Sequence, residues 1–243
     1  MNIAILLLLL LTAATSLADD QIRPFIAHYE GKKKVLLFTV TANARVELTR
    51  TGQYLKYVMD STVKWSVFKR KFYDCSLIRL DQHGMKPLEY LHVDESNKEF
   101  NVKSSFDWES NKAVTVLGSS AEPTTVDITW PTWDPMSFQV ALMSAAPVQS
   151  IGKSDPYQVL ERGKLKQHQV TFNGDRALDT RLGNMKVYEI ISRKTKGGAA
   201  LWLAPDYGWI PARITIDDVT IDLNAAPASK DRGEVTDNQV PHC

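Results

Sequence analysis

Apolar and polar residues alternate along most of this chain, which is the pattern of β-strands that bury one face. The alternation begins at 24–30, is clear again at 54–65, and recurs in later runs up to residue 223. Polar turn-forming stretches, among them 95–97 and 173–175, separate these runs at the spacing of hairpins. The pattern predicts a mainly β fold of roughly ten or more antiparallel strands.

One stretch departs from this alternation and predicts a helix at about 134–146. Asp134 suits the N-cap, Pro135 suits the first turn, and Pro147 cannot continue a helix. Polar side chains form only a narrow strip, made of Ser137, Gln139 and Ser144. Because a helix that is apolar on most sides is buried, we expect it to plug the concave side of a curved sheet or the mouth of an open barrel.

The length of 243 residues and the absence of a Pro/Gly/Ser-rich linker favour one domain, which we place at 19–224. We predict a curved antiparallel sheet or open β-barrel that holds the buried helix. An architecture like that of the lipoprotein carriers follows by fold analogy alone.

The first 18 residues have the features of a secretory signal peptide cleaved before Asp19. Their apolar run is too short to cross a bilayer, and Ser16 and Ala18 are small residues at the positions that a signal peptidase recognises. The leading residues contain no Lys or Arg, so an uncleaved anchor stays open as the alternative. No later segment is apolar enough to cross a membrane.

The C-terminal residues 225–243 are polar and predict a disordered tail. The chain has two cysteines, Cys75 within a strand pattern and Cys243 at the end of this tail. A disulfide between them and two unpaired thiols both remain open, because sequence does not reveal the required geometry.

Charge and motifs exclude several functional classes. A net charge of +1 argues against a nucleic-acid partner. The five histidines lack metal-ligand spacing, and no nucleophile-elbow or phosphate-loop pattern is present. We therefore expect no metal site, no cofactor and no catalytic residue, and we expect a protein that is not an enzyme.

Two aromatic groups are candidate binding surfaces. Cationic and aromatic side chains alternate at 64–73, where Trp65, Phe68 and Arg70 could form a rim for an anionic amphiphile or a membrane interface. A strand with a solvated basic face explains the same segment. The second group consists of Trp130, Trp133, Trp202, Tyr207 and Trp209. These rings suit either core packing or a cleft for a lipid tail or sugar face, and Trp202 and Trp209 are the candidates for the cleft.

The predicted helix supplies the remaining candidates. Met136, Val140 and Met143 could form the walls of a cleft between helix and sheet, because methionine adapts to apolar ligands of variable shape.

Several short patterns coincide along the chain: Phe25-x-Ala27-x-Tyr29, Phe106-Asp-Trp108, Asp134-x-x-Ser137-x-Gln139, Thr180-x-Leu182-Gly183, and Trp202-Leu-Ala-Pro-Asp206 followed by Pro211-x-Arg213. Together they resemble the bacterial envelope proteins of the domain of unknown function 3108 (DUF3108) family. The resemblance covers nearly the whole mature chain. It implies a periplasmic location in Gram-negative bacteria and an activity that is uncharacterised.

Three hypotheses for the function follow. A carrier or sensor of a hydrophobic or amphiphilic envelope molecule requires a cavity beneath the helix, and we prefer this hypothesis. A cell-envelope assembly or scaffold factor, with envelope proteins as partners, requires a filled core. A hydrolase requires convergent titratable groups, which no sequence motif reveals.

Overall fold

The computed structural model describes residues 23–35, 38–120, 122–193, 198–216, 219–229 and 241–243. The predicted signal peptide at 1–18 lies outside the described residues, and so does the part of the predicted tail at 230–240.

The described residues form a single sheet of 16 strands and an α-helix. The first eight strands are β1 (Phe25–Val35), β2 (Phe38–Thr51), β3 (Tyr54–Trp65), β4 (Phe68–Asp81), β5 (Gly84–Asp94), β6 (Val102–Asp107), β7 (Lys112–Leu117) and β8 (Thr124–Asp127). The others are β9 (Thr132–Trp133), β10 (Ser154–Glu161), β11 (Lys164–Thr180), β12 (Gly183–Arg193), β13 (Gly198–Ala204), β14 (Ile210–Ile216), β15 (Val219–Leu223) and β16 (Ala228–Ser229). The helix α1 (Pro135–Ala145) lies between β9 and β10 in the chain.

Two antiparallel meanders make up this sheet and meet where β1 pairs with β15. The spatial order runs from β8 back to β1, continues from β15 back to β9, and is antiparallel except where β9 pairs with β10. Consecutive strands β8 and β9 therefore lie at the two edges. Only residues 128–131 connect them, a span of at most about 18 Å. The sheet must curl to bring its edges this close, which confirms the prediction of an open, mainly β structure around one helix.

Register places several turns at one end of the curled sheet, which we call the mouth end. Trp65 pairs with Phe68, Glu161 with Lys164, and Arg193 with Gly198, so β3–β4, β10–β11 and β12–β13 all reverse direction there. Ile216 at the end of β14, which pairs with Val219 at the start of β15, lies at the same end.

The prediction of a turn at 173–175 is wrong. β11 continues through these residues, and a register shift between Phe172 and Gly174 absorbs the irregularity as a bulge. Gly174 adopts a φ of 84°, and a Cβ at this position would lie 2.9 Å from the Cδ1 atom of Ile151. The polar triplet therefore marks a bulge rather than the end of a strand.

The described parts of the predicted tail contact the sheet in two ways: residues 228–229 form strand β16, and residues 241–243 lie against the outer face. Ala228 pairs with Ile26 of β1, and Cys243 forms a disulfide with Cys75, with a Cα–Cα distance of 5.7 Å. Lys56 Nζ donates to the carbonyl of His242 over 2.5 Å. Since Ser76 faces α1 and successive side chains of a strand point to opposite faces, Cys75 lies on the outer face of β4.

Candidate ligand-binding site

A cavity of about 210 Å³ lies between α1 and the concave face of β10–β14. From the helix it is lined by Pro135, Phe138, Gln139 and Leu142. From the sheet it is lined by Val159, Glu161, His168, Ile190, Ser192, Gly198, Ala199, Leu201, Ile214 and Ile216. Most of these side chains are apolar, so the cavity suits the hydrocarbon part of a ligand.

Small residues opposite the helix explain why this space is open. Ala199 pairs with Ile216, and Leu201 pairs with Ile214, so these four side chains share the concave face. Gly198 and Ala199 project little into the interior at the start of β13. The side chain of Ile216, at the end of β14, is 52% exposed. The cavity therefore opens toward the mouth end of the sheet.

Polar side chains gather at one side of the cavity. His168 is buried, with Nε2 lying 2.8 Å from Glu161 Oε1 and Nδ1 lying 3.2 Å from Ser192 Oγ. Lys166 donates to the other oxygen of Glu161 over 2.8 Å. The Phe138 ring contacts His168 edge-on, with 5.2 Å between the ring centroids. The arrangement gives an apolar cavity a hydrogen-bonding wall.

The opposite side of α1 is packed and holds the three predicted wall residues. Met136, Val140 and Met143 are buried, and none of them is among the residues that line the cavity. Apart from the strands that line the cavity, α1 contacts β3, β4 and β5. The cavity lining instead uses Phe138, Gln139 and Leu142 of the same helix.

A buried carboxylate fixes the start of α1 against β4. Asp134 Oδ1 accepts hydrogen bonds from the backbone amides of Met136 (2.8 Å) and Ser137 (2.9 Å), as an N-cap does. Its Oδ2 accepts from the hydroxyls of Ser76 and Ser137, each over 2.7 Å. Burial raises the pKa of Asp134, and these hydrogen bonds oppose the rise. The cap therefore also joins helix and sheet, which sets the position of the cavity wall.

The predicted rim residues lie at the mouth end but away from the helix. The rings of Trp65 and Phe68 stack with 5.7 Å between their centroids. The guanidinium of Arg70 forms an ion pair with the buried carboxylate of Asp94. Burial alone would raise the pKa of Asp94, but the hydrogen bond from Arg70 and those from nearby backbone amides lower it overall.

Strand geometry separates this rim from α1. Tyr57 lies 3.5 Å from Gln139 of the helix, measured from the phenol oxygen to Oε1. Eight residues of extended strand divide Tyr57 from Trp65, which corresponds to about 26 Å. The rim and the cavity therefore share one end of the molecule without forming one continuous site.

The two predicted tryptophans lie apart from each other and from the cavity. Trp202 packs, partly buried, against a small separate cluster that contains Val187, Ala204 and Ala212. Trp209 meets Tyr188 edge-on, with 5.9 Å between the ring centroids, at the end of the sheet opposite the mouth. Trp202 and Trp209 are therefore close in the sequence but do not form one cluster in the structure.

Trp209 lines an open cleft of about 570 Å³ together with Arg23, Asp206 and Ser229. This cleft is larger than the cavity beside α1. However, residues 23 and 229 are the points where the described chain meets 1–22 and 230–240, so this volume is the space left by the described residues alone. We base the site on the cavity beside α1, because most of its lining lies inside strands and the helix and only Gly198 and Ile216 adjoin undescribed residues.

Glu161, His168 and Ser192 were missed in the sequence because they come from three strands and match no short motif. One signal was present. His168 has the same alternation phase as the buried residues Val170 and Phe172, which marks it as a polar residue on the concave face. Ser192 follows Ile190 in the same way on β12.

No group of three or more His, Cys, Asp or Glu side chains among the described residues could hold a metal ion. Of the helices in this part of the chain, none is both long and apolar enough to cross a membrane.

Comparison with known proteins supports the fold and the family. A solved "beta-barrel-like protein of domain of unknown function DUF1849" from Brucella abortus is similar in structure, with a TM-score of 0.60 and 13% identity. The similarity covers 86% of this chain and 99% of that one. No curated protein matches. Residues 25–222 match the family described as "Protein of unknown function (DUF3108)", which confirms the resemblance of the sequence patterns, and the chain belongs to this family.

Proposed function

We propose that this protein binds a small amphiphile, with the apolar part of the ligand in the cavity between α1 and β10–β14. The observation that carries the proposal is the cavity itself, about 210 Å³ of mostly apolar space beside a helix whose Met136, Val140 and Met143 are buried elsewhere. A scaffold factor with a filled core would not need this space.

The size of the cavity limits the ligand. Typical small-molecule sites have volumes of roughly 300–1,000 Å³, while an apolar cavity of about 150 Å³ already binds benzene. The space beside α1 therefore suits a single ring or a short stretch of alkyl chain. A longer chain would extend through the mouth end, past Ile216.

The polar side chains that line the cavity indicate which polar group the ligand carries besides its apolar part. Gln139, Glu161, His168 and Ser192 offer amide, carboxylate, imidazole and hydroxyl groups to the same space. A hydroxyl or amide on the ligand would find both donors and acceptors there, and a purely hydrocarbon ligand would leave these groups without a new partner.

A periplasmic location is part of the proposal. The 1–18 segment has the pattern of a secretory signal peptide, and disulfides such as Cys75–Cys243 persist in oxidising compartments. An amphiphile of the cell envelope is then the natural class of ligand for a non-enzymatic binding protein.

Fluorescence titration with N-phenyl-1-naphthylamine, whose phenyl ring would enter the cavity while the naphthalene extends through the mouth end, tests the proposal when followed by displacement with 1-decanol. Ala199→Leu adds a branched side chain to the cavity lining, whereas Ala177→Leu makes the same change at an exposed position of β11. We expect the first variant to lower dye affinity at least about tenfold, because a filled cavity cannot take the ring. The second variant should bind like the parent.

Equal binding by both variants, or an absence of decanol-displaceable dye, would contradict a site in this cavity. Thermal unfolding of each variant shows whether a loss of binding reflects a loss of folding.

A second candidate function rests on the Ser192–His168–Glu161 chain of contacts, which joins the groups of a serine hydrolase. Ser192 lies inside a strand paired on both sides, where backbone N–H groups serve the sheet rather than an oxyanion. We therefore rank binding first. Turnover of p-nitrophenyl butyrate that disappears in Ser192→Ala would favour the hydrolase.

A further inference from the structure

The distal parts of β1–β4 extend beyond the core at the mouth end. We call this region, residues 32–34, 39–43 and 60–73, the basic flap. None of its residues is buried, whereas Leu55 and Tyr57, nearer the start of β3, are buried. Its four strands stay paired, since Lys33 pairs with Val40 and Val40 pairs with Trp65. The flap is therefore an ordered sheet extension with two faces outside the core.

Positive charge is concentrated on this flap. It contains seven of the 29 basic residues of the chain and a single acidic residue, Asp60, although the whole chain carries a net charge of only +1. Some of these cations form ion pairs with carboxylates at the base of the flap. For example, Lys71 Nζ lies 3.1 Å from Glu95 Oε2. The charge asymmetry predicts an anionic partner at this end of the molecule.

The strongest sign of an external partner is a like-charge pair near the tip. Lys64 and Lys69 lie directly opposite each other on β3 and β4. Like charges at such positions destabilise a sheet. Neither lysine has a carboxylate partner among the residues that the structure describes. A bound anion would relieve this repulsion.

Beside this pair, the tip exposes apolar side chains. Val67 is 88% exposed and Phe68 is 60% exposed, while the Phe68 ring stacks on Trp65. Aromatic rings at the headgroup level and cations near phosphates are the two features that hold proteins at anionic bilayer surfaces. An acidic protein partner would use the lysines but would not require an apolar tip.

We propose that the basic flap docks this protein on an anionic phospholipid surface, with Val67 and Phe68 entering the interface and the lysines contacting headgroup phosphates. The cavity opens at the same end, so docking would turn its mouth toward the lipid. The docking proposal stands on the flap alone and does not require that the cavity binds a ligand.

Vesicle co-sedimentation tests the proposal with the full chain. We expect binding to vesicles of phosphatidylglycerol and phosphatidylcholine in equal parts, and little binding to phosphatidylcholine alone. Lys64→Glu with Lys69→Glu should lower binding by about tenfold or more. The control, Arg23→Glu with Lys112→Glu, makes the same charge change at exposed positions away from the mouth end and should bind within about twofold of the parent.

A second variant separates lipid from other anionic partners. Val67→Ser with Phe68→Ser keeps every charge and should weaken vesicle binding by about fivefold, leaving a remainder that about 1 M salt removes. Three results would overturn the proposal: no binding of the parent to the anionic vesicles, equal losses in the tip and control charge variants, or an unchanged serine variant that also binds polyglutamate-coated beads as strongly as vesicles. Circular dichroism establishes that the variants are folded.

Discussion

On the side of α1 that carries Met136, Val140 and Met143 the side chains are buried, whereas on the side that faces β10–β14 about 210 Å³ is unfilled. The packed side also carries a buried anchor, because Asp134 caps the helix and accepts a hydrogen bond from Ser76 of β4. The cavity side has small residues and a polar wall. One side of the protein therefore holds the helix in place, and this keeps the cavity on the other side open.

The two sides also differ on the outer face of the sheet. Cys243 joins Cys75 on the back of β4, so β3–β5 lie between α1 on one side and the C-terminal residues on the other. The C-terminal residues 241–243 make no such contact with β10–β14 among those described. Changes on the packed side should therefore affect stability most, and changes on the cavity side should affect binding.

The largest effect is expected for the disulfide. Cys243→Ser should lower the free energy of unfolding by about 4 kcal/mol, because the bridge closes a loop with a sequence separation of 168 residues. Urea unfolding of parent and variant measures the loss. Since the bridge lies away from the cavity, dye affinity of the folded variant should not change. A variant as stable as the parent would show that the bridge adds nothing to the packed side.

The helix anchor should give the next largest effect. Asp134→Ala removes the N-cap and leaves Ser76 and Ser137 without their acceptor, which should cost about 3 kcal/mol. Asp134→Asn keeps the shape and the capping oxygen and should cost about 1 kcal/mol. The midpoint of urea unfolding distinguishes the two. Equal losses in both variants would mean that negative charge, rather than hydrogen bonding, fixes the helix.

A matched pair of substitutions compares the two sides of the helix directly. Ala141 of α1 is buried away from the cavity, and Ala199 of β13 lines it. Ala141→Leu should cost about 2 kcal/mol by overpacking, whereas Ala199→Leu should cost less than about 0.5 kcal/mol because space is available. Thermal unfolding provides the comparison. A larger cost at Ala199 than at Ala141 would mean that the two sides are packed alike.

The sequence allowed the helix and its cap to be predicted, but not the cavity beside the helix. Asp134, Pro135 and Pro147 defined the helix, because capping and proline effects act within a few residues. The cavity was not predictable residue by residue, since it depends on which strand places Ala199 opposite the helix. Helical spacing alone does not show which face of α1 is packed. The prediction of Met136, Val140 and Met143 as cavity walls rested on their apolar side chains, which give no information about the direction they face.

The smallest predicted effect concerns pH and also belongs to the packed side. The hydrogen bond to Asp74 raises the pKa of His92 above its ordinary value, while burial opposes the rise. Because the pKa of His92 is raised in the folded state, the contact adds its full contribution to the free energy of unfolding below about pH 6.5. This contribution is lost as pH rises through the higher pKa of the folded state. The contribution should be below about 1 kcal/mol, because the His92 side chain is partly exposed.

His92→Gln should remove this pH-dependent part, so the stability difference between parent and variant should shrink as pH increases from 6 to 9. Urea unfolding across that range measures it. A difference that grows with pH would contradict the sign.

Methyl NMR during a titration with 1-decanol shows whether a ligand enters the cavity beside α1, because it reports on both sides of the helix in one spectrum. We expect progressive shifts for the methyl groups of Leu142, Ile190, Leu201 and Ile214, which line the cavity, and unchanged signals for Met136, Val140 and Met143. Shifts centred on these three residues, or an absence of any saturable shift, would contradict a preformed binding site on the cavity side.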